Sequence, residues 1–255
     1  MAYKFVSIEI EDRVAWLRLE RPPRNLLNIA MMEEINDALV TARKKKETQL
    51  VVVRGADGVF CEGLDYKEHG PKRVRRLIQV FMRIFETMRM MQLISIAAVE
   101  GAAEGSGFEL ALGCNLIVAA EGARFGLPQI KYGTIPPVAA AVLPRIAPRR
   151  RAMEWVLMGN AIEPQMLEQY GVLNRLFPAK SFEKQLSAFI AELAEKSGPV
   201  LRLARRAQFE AYYTNFPDAL SSIQTLYLNE LLALHDATEG PKALREGRDP
   251  AWKHS

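Results

Sequence analysis

One carboxylate stands where chemistry is easy to build. The apolar run Ile94-Ser-Ile-Ala-Ala-Val99 reads as a buried strand. Glu100-Gly-Ala-Ala-Glu-Gly-Ser-Gly107 follows, with three glycines in seven residues, and reads as a tight turn. Phe108-Glu-Leu-Ala-Leu112 then has helix character. Glu109 therefore falls in the first turn of a helix, just past a glycine turn and a strand. A carboxylate placed there can take or give a proton, and glycines on either side let a ligand come close to the backbone. Its apolar neighbours Phe108 and Leu110 would raise its pKa and suit it to that work. The plainer alternative is a glutamate that only complements the helix dipole in a turn with no ligand.

Other catalytic engines are missing. His69, His235 and His254 form no metal-ligand spacing, and no metal is expected. Gly105-Ser-Gly107 lacks the first glycine of a nucleophile elbow and the third glycine of a dinucleotide loop. There is no Walker A lysine. What remains is carboxylate chemistry, with backbone N–H groups as the electrophilic element.

The elements that must carry this site can be read in order. Phe5 to Ile10 and Val14 to Leu19 alternate around Glu11-Asp-Arg13, a hairpin signal. Asn28 can cap a helix reaching about Lys45, with Met31, Ile35 and Leu39 on one side. Leu50 to Arg54 is a buried strand, and Pro71 to Met91 one amphipathic helix with Val74, Leu77, Ile78, Phe81, Phe85 and Met88 at helical spacing. Met82, Met88, Met90 and Met91 fit core packing or an adaptable ligand wall. Further on, Leu116 to Ala120 is a strand, 149–158 a helix, 160–171 a turn into a short helix and Val172 to Phe177 a strand. The remainder is helical, over about 181–196, 200–212, 217–235 and from Pro241. Periodicity alone gives an α/β protein of one domain.

The chain has 255 residues, 49% hydrophobic and 25% charged, an ordinary globular balance. No apolar run is long enough to span a membrane, and the N-terminal stretch from Met1 reads as strand without a secretory h-region. Cys61 and Cys114 lie far apart, so a reducing cytoplasm is the expected location. The net charge of +4 is clustered at 43–46, 72–76, 149–151 and 202–206. Such clusters suit nucleic acid, a polyphosphorylated small molecule or plain solvated helix faces; aromatics are not interleaved with them, which argues against single-stranded RNA.

These residues, taken with others along the chain, resemble the crotonase (enoyl-CoA hydratase/isomerase) superfamily. The matching stretches are Arg21-Pro-Pro-Arg-Asn-Leu-Leu-Asn28, Phe60-Cys-Glu-Gly-Leu-Asp65, the region around Glu109, Phe125-Gly-Leu-Pro128, Asp236-Ala-Thr-Glu-Gly240 and Pro250-Ala-Trp252. They come in family order along essentially the whole chain. Within the superfamily the chain most resembles the hydratases of cyclohexa-1,5-diene-1-carbonyl-CoA. The resemblance implies a spiral of stacked ββα turns (1–195) and a C-terminal helical trimerisation region (196–255) of the same domain. It implies a homotrimer or a hexamer of two trimers, an acyl-CoA substrate, no separate cofactor since coenzyme A is part of that substrate, and a place in aromatic-compound breakdown. Neither a membrane nor a nucleic-acid partner is expected.

The resemblance also assigns residues. Protonation next to a thioester carbonyl passes through an enolate, and two N–H donors on its oxygen are worth about 3 kcal/mol each. Those donors would be the amides of Leu64 and Ser106. Glu109 matches the first of two family glutamates and would be the main acid/base. Arg24 and Leu26 fall in the loop that packs on coenzyme A, although Leu26 fits core packing equally well. Gly63, Asp65 and Gly105 fall in the substrate-binding turns, and Arg248 is what remains of a basic triplet before Pro-x-Trp. Two departures stand out. Gln129 occupies the second glutamate's place, and an amide orients water or a hydroxyl but exchanges no proton at neutral pH. Pro137 stands where ordinary hydratases present an N–H, and the pair Pro136-Pro137 is shared with the alicyclic dienoyl-CoA hydratases. The implied reaction is addition of water to a conjugated cyclic dienoyl-CoA. A one-carboxylate reaction such as double-bond isomerisation, an RNA-binding homologue and a scaffold with a silent site are the alternatives.

Overall fold

The computed structural model describes residues 3–255; Met1 and Ala2, included in the stretch read as strand, lie outside the described residues. The alternating segments pair as an antiparallel hairpin of β1 (Val6–Glu11) and β2 (Val14–Leu19), with Val6 opposite Leu19. Asp12 and Arg13 both take positive φ, as a two-residue turn between right-twisted strands requires. Asn28 caps α1 (Ile29–Lys44), its Oδ1 accepting the Met31 N–H at 2.8 Å. The Met31, Ile35 and Leu39 stripe of that helix is fully buried.

β3 (Leu50–Gly55) then runs parallel to β2. α2 (Val74–Met90) begins at Val74 rather than Pro71, because Gly70 O accepts from both Arg73 and Val74 and closes a turn first. β4 (Ile94–Val99), buried at every residue, pairs with β3. The glycine turn after it is not one turn. It contains a short strand, β5 (Ala102–Glu104), before α3 (Ser106–Leu112). β6 (Leu116–Ala120) and β7 (Arg124–Gly126) follow, then α4 (Pro137–Ile146), α5 (Arg149–Met158), β8 (Ala161–Ile162), α6 (Pro164–Gln169) and β9 (Arg175–Phe177).

The strands build two sheets, in the orders β1-β2-β3-β4-β6-β9 and β5-β7-β8. Cys61 bridges in parallel to Ala103, so the small sheet effectively starts one chain turn earlier. β3 with Cys61, β4 with β5 and β6 with β7 each leave one strand in each sheet. The chain thus advances by stacked turns, and every passage from the first sheet to the second ends at one side of the stack. That is where the site assembles.

The C-terminal helices are α7 (Phe182–Ala194), α8 (Gly198–Tyr213), α9 (Phe216–Leu226) and α10 (His235–Glu246). The single helix expected over 217–235 stops at Leu226, continues as one π turn and ends at Leu232. The last helix starts at His235 and carries Pro241 inside it. Its start is fixed by Asp236, whose carboxylate accepts from the N–H groups of Lys253 and His254. Of the basic cluster at 202–206, Arg205 donates to Met88 O and Asn115 Oδ1, and Arg206 pairs with Glu230 and Glu210. Among the described residues no helix is long and apolar enough to cross a membrane.

Candidate active site

Two loops meet over the N-terminus of α3. The first runs from Cys61 to Asp65, threaded between Leu27 on one side and Ala103 on the other by parallel bridges. Its amides are almost all engaged. Gly63 N donates to Cys61 Sγ at 3.4 Å and Asp65 N to Leu27 O at 2.8 Å, while Leu64 N, between them, makes no hydrogen bond among the described residues. The second loop is Gly105, held by its N–H on Gly126 O at 2.9 Å. Gly105 takes φ +54, a conformation that favours glycine, and turns the chain into α3. Ser106 begins the helix, so its N–H has no partner within the helix. A Cβ placed on Gly63 would lie 3.6 Å from Ser106 N, so the Leu64 and Ser106 amides belong to one small neighbourhood. Two unengaged N–H groups at the start of a helix are suited to an oxyanion.

Glu109, three residues on, is fully buried. Four donors hold its carboxylate. Oε1 accepts the N–H groups of Val138 at 2.7 Å and Ala139 at 3.1 Å. Oε2 accepts the Ser106 hydroxyl at 3.1 Å and Gln129 Nε2 at 3.0 Å. Burial pushes the carboxyl up and the donors pull it back, which leaves it at about 7. Only the amide nitrogen of Gln129 can face a carboxylate, so its orientation is fixed by the pairing. Gln129 Oε1, on the other side, is buried and has no partner among the described residues.

Pro137 explains the two backbone donors. It opens α4 at the first helical position, where its missing N–H costs nothing. The next two amides are then free at the helix start, and both go to Glu109. The N–H missing at 137 is therefore replaced by the two that follow it. Sequence reasoning missed Val138 and Ala139; a Pro-Pro pair ahead of Val-Ala-Ala-Ala was the available signal for a helix start.

A cavity of about 350 Å³ opens beside these groups. Of the residues singled out from sequence it brings together Arg24, Leu26, Gly63, Leu64, Asp65, Gly105, Ser106 and Gln129; Glu109 and Pro137 are not on its wall. Tyr66 and Tyr132 also line it, with ring centroids 5.9 Å apart. No sequence signal marked them, since neither belongs to a repeating pattern. Asp65 is turned away from ligand work: Arg21 Nη2 holds it at 2.6 Å, and the Lys67 N–H at 3.1 Å. Burial alone would raise the Asp65 carboxyl, but these two donors outweigh it and hold it below its ordinary range. Arg21 Nη1 also donates to Leu26 O at 2.7 Å, so one guanidinium ties the 21–27 and 61–65 loops together. Arg24 is mostly exposed and paired with Glu62. Arg248 is committed to Glu239 and Glu246, which removes it as a free cation.

A second, more apolar cavity of about 440 Å³ lies at the far end of α3, lined among others by Phe85, Leu112, Phe209 and Tyr212. Met82 and Met88 reach it, whereas none of the four methionines read as a ligand wall reaches the cavity beside Ser106.

Comparison with known proteins agrees in extent with this architecture. A model of the enoyl-CoA hydratase/isomerase family matches residues 9–255. A probable enoyl-CoA hydratase of Rhizobium meliloti (strain 1021) is 30% identical over 100% of both chains. The cyclohexa-1,5-dienecarbonyl-CoA hydratase of Thauera aromatica is 28% identical, covering 98% of this chain and 96% of that one. The solved enoyl-CoA hydratase of Bacillus anthracis superposes with a TM-score of 0.93 at 27% identity, over 99% of this chain and 100% of that chain.

Proposed function

The chain belongs to the enoyl-CoA hydratase/isomerase family, with the crotonase fold, and from that premise we propose that it adds water to a conjugated alicyclic dienoyl-CoA. The observation that carries the reading is the pairing of one buried carboxylate with an amide, Glu109 with Gln129, beside two unengaged N–H groups. The thioester oxygen binds the amides of Leu64 and Ser106, which take up its charge as the enolate forms. Glu109, ionised at the start, takes up a proton as water adds and returns it to the α-carbon. Gln129 keeps its amide nitrogen on Glu109 and offers Oε1 to water. The likeness to the Thauera aromatica hydratase, which acts on a cyclic diene thioester, supports the substrate class. A single carboxylate also suffices for moving a double bond, in which one base shuttles one proton, and that is the second reading.

A panel of linear and cyclic enoyl-CoA thioesters, assayed for incorporation of ¹⁸O from water, separates the two. The expected result is labelled hydroxyacyl product from cyclohexa-1,5-diene-1-carbonyl-CoA and slow turnover of crotonyl-CoA. Isomerised product without label would replace hydration by the second reading. Gln129→Glu adds a partner carboxylate 3 Å from Glu109. If the cavity accepts simple substrates, this change raises crotonyl-CoA hydration; no gain there, with the cyclic diene still turned over by the wild type, makes Gln129 an adaptation to that substrate.

The same reading includes a trimer or hexamer. Leu226 is buried within the chain, but Phe216, Leu220, Leu228, Leu232 and Leu244 stay more than half exposed, a large apolar surface for one chain to leave to water. Light scattering at micromolar protein is expected to give the mass of a trimer or twice that. A monomer mass would contradict it.

A further inference from the structure

Glu109 does not touch the cavity in which a substrate would sit. It is fully buried, and the residues that separate it from the cavity are two of its own donors, Ser106 and Gln129. Its other two donors are backbone N–H groups of α4. A proton moving between substrate and carboxylate has to cross this layer. The Gln129 amide nitrogen cannot carry it, because an amide gives up no proton at neutral pH. A serine hydroxyl can, since it donates one hydrogen bond and accepts others at the same time.

We infer that the Ser106 hydroxyl is the proton relay between Glu109 and the substrate, in addition to the role of the Ser106 amide. The geometry that supports it is the 3.1 Å bond from Ser106 Oγ to Glu109 Oε2, on a residue that lines the cavity. The unpartnered Gln129 Oε1 is the second observation, because a buried acceptor left without a donor, on a residue that lines this cavity, asks for a hydroxyl or water from outside the chain. A water held between Gln129 Oε1 and Ser106 Oγ satisfies both.

The inference rests on the acyl-CoA reading above, and the proton count closes. Glu109 starts ionised. As the water oxygen bonds to the β-carbon of the unsaturated acyl group, one water proton passes to Ser106 Oγ and the serine's own proton passes to Glu109 Oε2. The π pair of the α–β double bond moves toward the thioester, leaving negative charge on its oxygen. In the return step the enolate pair forms a new C–H bond at the α-carbon with the proton from Ser106 Oγ. Glu109 then gives its proton back to the serine. Only H and OH have been added, and both side chains end as they began.

The test separates proton transfer from hydration. Exchange of the α-protons of butyryl-CoA in D₂O, followed by NMR, needs the enolate and the proton route but no water addition. Ser106→Ala keeps the backbone N–H and loses the hydroxyl. It is expected to bind butyryl-CoA with unchanged affinity by calorimetry and to exchange its α-protons at least about a hundredfold more slowly. Ser106→Thr keeps a hydroxyl and is expected to stay within about tenfold of the wild type. A proton inventory of α-hydrogen loss from butyryl-CoA by the wild type in H₂O–D₂O mixtures is expected to show a normal, linear solvent isotope effect, since the Ser106 hydroxyl proton is the one solvent-derived proton that moves with the C–H hydrogen; this measurement stands even if a variant misfolds. Wild-type exchange in Ser106→Ala, or the absence of a solvent isotope effect, would overturn the relay and require Glu109 to reach substrate directly. A wild type that exchanges α-protons but hydrates none of the thioester panel sinks the hydratase reading and leaves the relay to these same measurements. No exchange by the wild type at all overturns both.

Discussion

Replacing Glu109 with glutamine is expected to lower turnover at least about a hundredfold, the usual worth of one acid/base group. The substitution is a clean one. The new amide oxygen can stay on the Val138 and Ala139 N–H groups, which now hold Oε1. Its nitrogen then faces Ser106 and Gln129. The serine hydroxyl can turn to accept, and Gln129 can flip, because its own Oε1 is unengaged in the wild type. Folding should survive and proton transfer should not. The pH dependence gives an independent check. With the Glu109 carboxyl at about 7, the wild-type kcat/KM should rise with pH through that value, as the base form appears, and then level off. Stability should move the other way. The carboxyl is raised in the folded chain from an ordinary 4.5, so folding favours the protonated form. That advantage is complete below about pH 4.5 and is lost as pH rises through 7, a swing of about 3 kcal/mol. Chemical denaturation of wild type and Glu109→Gln across pH 4 to 8 should therefore show the wild type losing ground relative to the variant. Undiminished turnover in Glu109→Gln would move the proton work to Glu62 or Glu104, the other carboxylates on the cavity wall, since Arg21 pins Asp65.

The parts of this site that could be read from sequence are those with local causes. Glycines at 105 and 107 ahead of an apolar helical run announce a tight turn into a helix, and the position of Glu109 follows from that alone. The hairpin, the Asn28 cap and the α2 stripe are likewise short-range patterns, and the chain forms them. What could not be read depends on pairings between distant segments. β5 is three residues long, too short for alternation to show. The partners of Glu109 Oε1 come from α4, about thirty positions away. Asp65 was assigned to substrate by its motif, yet its partner Arg21 lies in another loop and could be found only in space. Ser106 illustrates the same limit within one residue. The role of its amide came with the family resemblance, while its hydroxyl acquires a use only once Glu109 proves to be sealed behind it.

A methyl group added at position 107 is expected to damage the site more than any surface change. An Ala Cβ at Gly107 would sit 1.9 Å from the Cys61 carbonyl oxygen and 2.6 Å from its carbon. Both are backbone atoms, so no side-chain rotation relieves the overlap. Alanine does gain about 1 kcal/mol over glycine in a helix, but α3 is only seven residues long and the overlap must still be removed. Either the helix moves away from the 61–65 loop or the loop moves away from the helix, at an overpacking cost of about 1–3 kcal/mol. In both cases the Leu64 amide separates from the Ser106 amide, because Leu64 follows Cys61 on one strand-like segment. Loss of one oxyanion donor costs roughly 10²–10³ in kcat, so Gly107→Ala should show that loss together with a lower melting temperature. Gly122→Ala is the matched control, since a Cβ there meets nothing within 4 Å, and both quantities should stay at the wild-type level. If Gly107→Ala melts early but turns over normally, the two amides are not the groups that hold the thioester oxygen, and the site would have to be rebuilt around other donors of the same cavity.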